Sequence, residues 1–178
     1  PFFQHSTFAR LMTSRTFLRH ALVFLWGAGA SVFADSVVTF NELHYNPPTT
    51  QDGEWIELHN QMTVNIDLSG WRLDDGVGFT FPSGTVIPGG GFLVIAKNPS
   101  LSGISGALGP YSGNLSNSGE TVELISRSGR VMDRVSYGDS GEWPLAADGV
   151  GATLAKRSPG SDSERATRWT SNSLPGGT

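Results

Sequence analysis

The amino-acid sequence predicts an all-β fold, a sandwich or barrel of short antiparallel strands. Three observations carry that reading. The 178 residues include 23 Gly and 10 Pro, a share that fits many short elements joined by tight turns. From residue 37 onward the apolar residues fall in runs of a few positions, alternating or continuous, each closed by a turn signal. No block rich in Ala, Leu, Glu and Lys follows residue 35, and no strand–helix alternation occurs, which argues against a parallel α/β fold.

Residues 1–34 read as an address and stand outside the fold. Arg15, Arg19 and His20 form a basic head, Ala21 to Trp26 an apolar stretch, and Val32-Phe33-Ala34 a small-residue exit. This is the layout of a helical secretory signal peptide cleaved between Ala34 and Asp35. Gly27, Gly29 and Ser31 interrupt the apolar stretch short of the roughly 20 residues that a spanning helix needs. A signal starting at Met12 would have an ordinary length. The reading places the mature protein outside the cell or on its surface, without a membrane span.

In the body, Val37 to Leu43 is a β-branched and aromatic run that Asn46-Pro47-Pro48 stops, because proline cannot donate to a sheet ladder. Glu54-Trp55-Ile56-Glu57-Leu58-His59 alternates, with Ile56 and Leu58 on one face and Trp55, Glu57 and His59 on the other. Asn65-Ile66-Asp67-Leu68 alternates likewise, Ser69-Gly70 bends the chain, and Trp71-Arg72-Leu73 leads into the Asp74-Asp75-Gly76 turn. Ile56, Leu58, Ile66, Leu68, Trp71 and Leu73 are the expected inward positions, and the charges between them are expected to face water. Phe79-Thr80-Phe81 and Val86-Ile87 are each closed by proline. Phe92 to Ala96 is apolar throughout, the pattern of a central strand covered on both faces. Residues 98–119 read as a long surface loop pinned near Tyr111. Thr121 to Ile125 and Val131 to Val135, flanking Ser126 to Arg130, form the clearest hairpin. The sandwich is expected to span residues 35–155. Residues 156–178 read as a Ser-, Gly- and Pro-rich linker with Trp169 as its one large apolar anchor, leading into further chain.

Charge and composition exclude several functions. Residues 1–34 carry Arg10, Arg15 and Arg19 and no acid, leaving 9 basic against 16 acidic residues in the rest. An acidic body lacks the clustered cations that neutralise phosphate backbones, so nucleic acid is not an expected partner. The absence of Cys excludes disulfides, thiolate zinc sites and a Cys nucleophile. No Gly-x-Ser-x-Gly occurs, and Gly89-Gly90-Gly91 lacks the Lys-Ser/Thr of a phosphate loop. The Asn114-Leu115-Ser116 sequon reads as turn chemistry.

Three constellations remain as alternatives. Glu42-x-His44 and Glu57-x-His59 each place an acid and an imidazole on one strand face, and neighbouring strands would gather four ligands suited to a zinc- or manganese-assisted hydrolase. Asp52, Asp67, Asp74 and Asp75 are oxygen donors for calcium, though without a spaced Asp-x-Asp-x-Asp-Gly loop. Trp143, set in a loop before Pro144, is the strongest candidate for an exposed ring that stacks on sugars, Trp71 reads as core, and Trp55 is open between the two. The leading expectation is a non-catalytic module with no catalytic, metal or cofactor residue, whose partner is a protein or surface glycan.

The ordered blocks Phe40-Asn41-Glu42-Leu43-His44-Tyr45-Asn46-Pro47, Glu54 to Asn60, Asp67 to Leu73, Phe79 to Pro82, Ile87 to Gly90, Gly113 to Glu120, Val131 to Tyr137 and Trp143-Pro144 with Asp148-Gly149 resemble the lamin-tail domain of exported bacterial proteins. The resemblance covers residues 37–155. It implies an immunoglobulin-like β-sandwich that serves as an accessory interaction or scaffolding module of a secreted or surface protein, and it transfers no catalytic residue.

Overall fold

A computed structural model describes Pro1 and residues 36–173. The chain divides into two units, Pro1–Ser31 and Val32–Thr178; apart from Pro1, the described residues belong to the second. The signal peptide expected over 1–34, its exit before Asp35, and the terminal residues 174–178 lie outside the described residues.

The described part of the second unit is an all-β sandwich of two five-stranded antiparallel sheets with a two-stranded ribbon beside them. The first sheet runs in the order β12 (Trp169–Asn172), β11 (Thr153–Lys156), β1 (Val38–His44), β2 (Trp55–Asn60), β7 (Phe92–Ala96). The second runs β10 (Val131–Gly138), β9 (Gly119–Ile125), β4 (Arg72–Asp75), β5 (Val77–Thr80), β8 (Ser112–Gly113). The ribbon joins β3 (Ile66–Asp67) to β6 (Val86–Ile87). This is the predicted immunoglobulin-like architecture, in which alternation on each strand supplies one wall of the core.

The core lies between the sheets. Phe40, Leu43, Ile56, Leu58, Ile95 and Leu154 face it from the first sheet, and Leu73, Val77, Val122, Leu124, Val135 and Tyr137 from the second. Register sets these faces: Leu43 pairs with both Ile56 and Leu154, and Ile56 pairs with Ile95, so one inward row crosses four strands. A bulge between Phe40 and Glu42 admits Asn41 as an extra residue and keeps Phe40 and Leu43 both pointing inward. The β9–β10 hairpin forms as predicted, closed by Ser126 N–H donating to Arg130 O at 2.8 Å and by Gly129 in a left-handed conformation (φ +85).

Four expectations are corrected. Residues 156–172 are not a linker: β12 pairs with β11 over four residues, from Thr153–Asn172 to Lys156–Trp169, and Trp169 is 1% exposed. The apolar side of that short strand had only one large residue to announce it. Phe92–Ala96 is an edge strand, not a central one. It is apolar on both faces because Ile104 and Ala107 pack over Trp55, Val94 and Ala96 on its outer side. Leu108 also pairs with its edge, with Ala96 N–H donating to Leu108 O at 2.8 Å. Trp71 is half-buried at the margin of the core, whereas Trp55 is 1% exposed. Finally, the carboxylates of the Glu54–Leu58 stretch do not face water: Glu54 and Glu57 are buried.

Candidate functional site

The first sheet does make β1 and β2 neighbours, and Glu42, His44, Glu57 and His59 share its outer face, with Glu42 directly opposite Glu57. The side chains nevertheless do not converge on a metal. Glu42 accepts a hydrogen bond from Thr153 Oγ1, and Glu57 Oε1 accepts one from Asn41 Nδ2 at 2.8 Å. His44 lies opposite Trp55, its ring edge-on at 5.7 Å. His59 lies opposite Thr39 and Phe92, stacked on the Phe92 ring at 4.6 Å. Burial disfavours charge at each site where a shift is resolved, lowering the pKa of both histidines and raising that of Glu57. Among the described residues no group of three or more His, Asp or Glu is placed to hold a metal ion.

The four aspartates do not gather into a metal-holding group among the described residues. Asp67 caps Ser69 N–H and hydroxyl, Asp74 binds Arg72 Nε at 3.0 Å and caps Asp75 N–H at 2.9 Å, and Asp52 lies 3.8 Å from Lys97 Nζ. The Asp67 and Asp74 contacts to backbone are turn contacts, formed because a short acid side chain reaches the N–H one or two residues on; Asp52 instead meets a lysine distant in sequence. Trp143 is half-buried: its ring packs against the core and lies 6.3 Å from that of Trp169, so it does not stand clear as a sugar platform. Asn114 is exposed but flanked by buried Leu115, consistent with turn chemistry.

Two polar clusters that pattern reading did not find organise the ends of the sandwich. In one, Glu54 is fully buried, and its Oε2 accepts from Tyr111 Oη and Leu115 N–H, both at 2.9 Å. Nearby, Tyr137 Oη donates to Ser116 O at 2.9 Å and Glu120 Oε1 at 3.1 Å, while Glu120 Oε1 takes Ser116 N–H at 2.7 Å. Tyr45 stacks on Tyr137 at 4.8 Å. Together they fasten the 108–118 loop to the frame. Desolvation raises the Glu54 pKa and pushes Tyr45 up to about 12.

The second cluster joins the C-terminal segment to both sheets. Asp133 Oδ2 on β10 accepts Phe40 N–H of β1 at 2.8 Å and Ser163 Oγ at 2.6 Å. Lys156, 2% exposed on β11, donates to Ser161 O at 2.7 Å and lies over the Trp169 ring at 5.8 Å. Trp169 Nε1–H donates to Ser163 O at 3.0 Å. Burial lowers the Lys156 pKa to about 8 and raises that of Asp133. One signal was readable: Leu154 and Lys156 share parity on a strand, so an inward Leu154 implies an inward Lys156. Over this cluster an open groove of about 530 Å³ is lined by Ser158, Gly160, Ser161, Asp162, Arg165 and Arg168.

The family model for the Lamin Tail Domain matches residues 31–139, a span that includes β1 to β10 and ends before β11. No curated protein matches the chain.

Proposed function

Because the chain belongs to the Lamin Tail Domain family, we propose that it acts as a non-catalytic interaction or scaffolding module of an exported protein. The observation that supports this reading is how the buried polar side chains are used. Glu54 holds Tyr111 and Leu115, Asp133 holds Phe40 and Ser163, and Lys156 holds Ser161. Asn60 Nδ2 donates to the carbonyls of Val64, Ile87 and Pro88 at 2.8, 3.1 and 2.9 Å. Each ties a connecting segment to a rigid frame, the requirement for presenting a surface to a partner. Glu42 and Glu57 are hydrogen-bonded to neighbours on their own sheet and the His44 and His59 rings pack on Trp55 and Phe92, so the set does not gather round a shared centre, which favours this reading over a metal-assisted hydrolase. The partner is a protein or surface glycan.

Export rests on the basic head, apolar stretch and small-residue exit of residues 1–34. Terminal sequencing of the protein from its native host is expected to recover a chain beginning at Asp35 outside the cytoplasmic membrane. Cytoplasmic protein retaining residues 12–34 would contradict export. Elemental analysis of the purified protein is expected to find no stoichiometric transition metal; a bound metal lost on His59→Ala would favour the hydrolase.

A further inference from the structure

The two ends of the sandwich differ in charge. At one end lie the connections 45–54, 97–118 and 139–152, which carry Asp52, Glu54, Asp139, Glu142 and Asp148 against the single cation Lys97. At the other lie 61–65, 88–91, 126–130 and 157–168, which carry Arg127, Arg130, Arg157, Arg165 and Arg168 against Asp162 and Glu164. Those two acids are engaged, Asp162 with Arg165 Nε at 3.1 Å and Glu164 with Arg134 Nη1 at 3.9 Å. Asp67 on the neighbouring ribbon is exposed. Arg127, Arg130, Arg157 and Arg168 are exposed and make no ion pair among the described residues. The acidity of the body is thus concentrated away from this end.

The cationic end also bears an uncharged apolar crest. No charged side chain occurs between Asn60 and Ile66 or between Gly76 and Ala96. Met62, Val64 and Phe92 stand out there at 42%, 59% and 40% exposure, although such residues are ordinarily interior. The crest is held in place. Gly90 N–H donates to Met62 O at 2.7 Å, and a Cβ on Gly89 would strike Thr63 O, so glycine lets the 88–91 turn close on the 61–65 loop. The arginines flank it: a Cβ on Gly160 would lie 3.1 Å from Gln61 Oε1, and Gly70 lies against the Arg127 stem. The described body of the chain starts at this end too, with Gln61 N–H donating to Val37 O at 2.9 Å and Gln61 Nε2 to Ser36 O at 3.0 Å.

We infer that this end docks on an anionic lipid surface, with Met62, Val64 and Phe92 entering the headgroup layer and the flanking arginines meeting lipid phosphates. Fixed apolar tips beside cations match a membrane interface, where apolar burial and attraction to acidic headgroups act together. A charged polymer in water would engage the arginines and leave the apolar tips wet. A second copy docked through the same end would set arginine against arginine. The starting point of the body favours lipid as well. Export with cleavage after Ala34 brings Ser36, and with it the crest, out within a few residues of the membrane just crossed. The inference rests on the export reading for that encounter.

The sequence has no Cys, so Thr63→Cys carries a single environment-sensitive fluorophore on the crest and Ser140→Cys one at the opposite end, both at exposed positions. The purified full chain is titrated with vesicles of phosphatidylglycerol and phosphatidylcholine in equal parts. The label at 63 is expected to shift to the blue and the label at 140 to stay unchanged; the readout is local, so lipid contact by residues 1–34 does not mimic it. Added salt or pure phosphatidylcholine should weaken the response, and soluble glycerophosphate should give none. Met62→Ser with Val64→Ser should raise the lipid needed for half-maximal response about tenfold, Arg168→Gln about fivefold, and Glu142→Gln at the far end by less than about twofold. No shift at 63, equal shifts at both labels, or an undiminished response in the Met62→Ser, Val64→Ser protein would overturn the inference. A shift at 63 that needs no lipid and grows with protein concentration would overturn it in favour of a second copy. If the vesicle response fails while the protein still binds host cells, only this inference falls; if host-cell binding fails too, the interaction-module reading falls with it.

Discussion

Replacing Trp169 by alanine tests whether the C-terminal segment belongs to the sandwich. Trp169 is 1% exposed, packs into the main core, donates Nε1–H to Ser163 O at 3.0 Å, and lies under the Lys156 ammonium. Truncating a buried Trp costs about 3–5 kcal/mol, and losing the hydrogen bond adds about 1 kcal/mol. The expected loss is therefore about 4–6 kcal/mol, against a total stability of about 5–15 kcal/mol for a domain. With a urea m-value of about 2 kcal/mol per molar, the midpoint should fall by about 2–3 M. Trp169→Phe keeps most of the volume and loses the N–H, so it should cost about 1–2 kcal/mol. Urea titration followed by far-UV circular dichroism measures both. A Trp169→Ala protein within about 1 kcal/mol of wild type would refute the assignment of residues 156–172 to the fold.

Two further predictions concern pH. Burial holds the folded Lys156 ammonium at about 8, below the ordinary lysine value of about 10.4, so the unfolded chain binds more protons in that interval and stability should rise with pH there. At 1.36 kcal/mol per unit, the gain from pH 8 to 9.5 is about 2 kcal/mol, measured from urea midpoints and absent in Lys156→Met; a flat profile in wild type would contradict the buried ammonium. Glu54, Glu57 and Asp133 have raised folded pKa values, chiefly from desolvation. The stability they contribute is fully present below the unfolded carboxylate pKa and is lost as pH rises through the folded one. His44 and His59, whose folded pKa values burial lowers, act in the opposite sense as pH falls, so the check is a difference: on mild acidification from neutrality the wild-type urea midpoint should gain on that of Glu57→Gln, and a gap that does not change with pH would count against the Glu57 assignment. Tyr111→Phe leaves Glu54 Oε2 with Leu115 N–H alone and should cost about 1–3 kcal/mol in the same assay.

How far the sequence revealed the fold depended on how regular each element is. The Glu54–Asn60 alternation, the proline stops and the Ser126–Arg130 turn follow period-two patterning and turn chemistry, and the strands and hairpin appear where they direct. Local pattern carries no information about what lies on the far side of a sheet. For that reason Glu57, expected to face water, is buried, as is Trp55, which the pattern left open between core and exposed ring, and the wholly apolar Phe92–Ala96 is an edge strand sheltered by Ile104, Ala107 and Leu108. The short β12 was hidden in a Ser- and Gly-rich segment because four residues with one Trp make no periodic signal. Among site residues, the shared face of Glu42, His44, Glu57 and His59 was legible from parity and from the neighbouring strands. Their failure to converge was not, because it depends on Thr153, Asn41, Trp55 and Phe92 arriving from other positions. Glu54–Tyr111 and Asp133–Ser163 are separated by 57 and 30 residues, and no local motif joins them.

The central claim is that this sandwich presents a binding surface outside the cell. Equilibrium binding of the purified protein to intact cells of its native host tests it most directly. The account predicts a saturable isotherm, competed by unlabelled protein and abolished when the protein is unfolded by heat. Binding that does not saturate, or that persists unchanged in heat-unfolded protein, would contradict it.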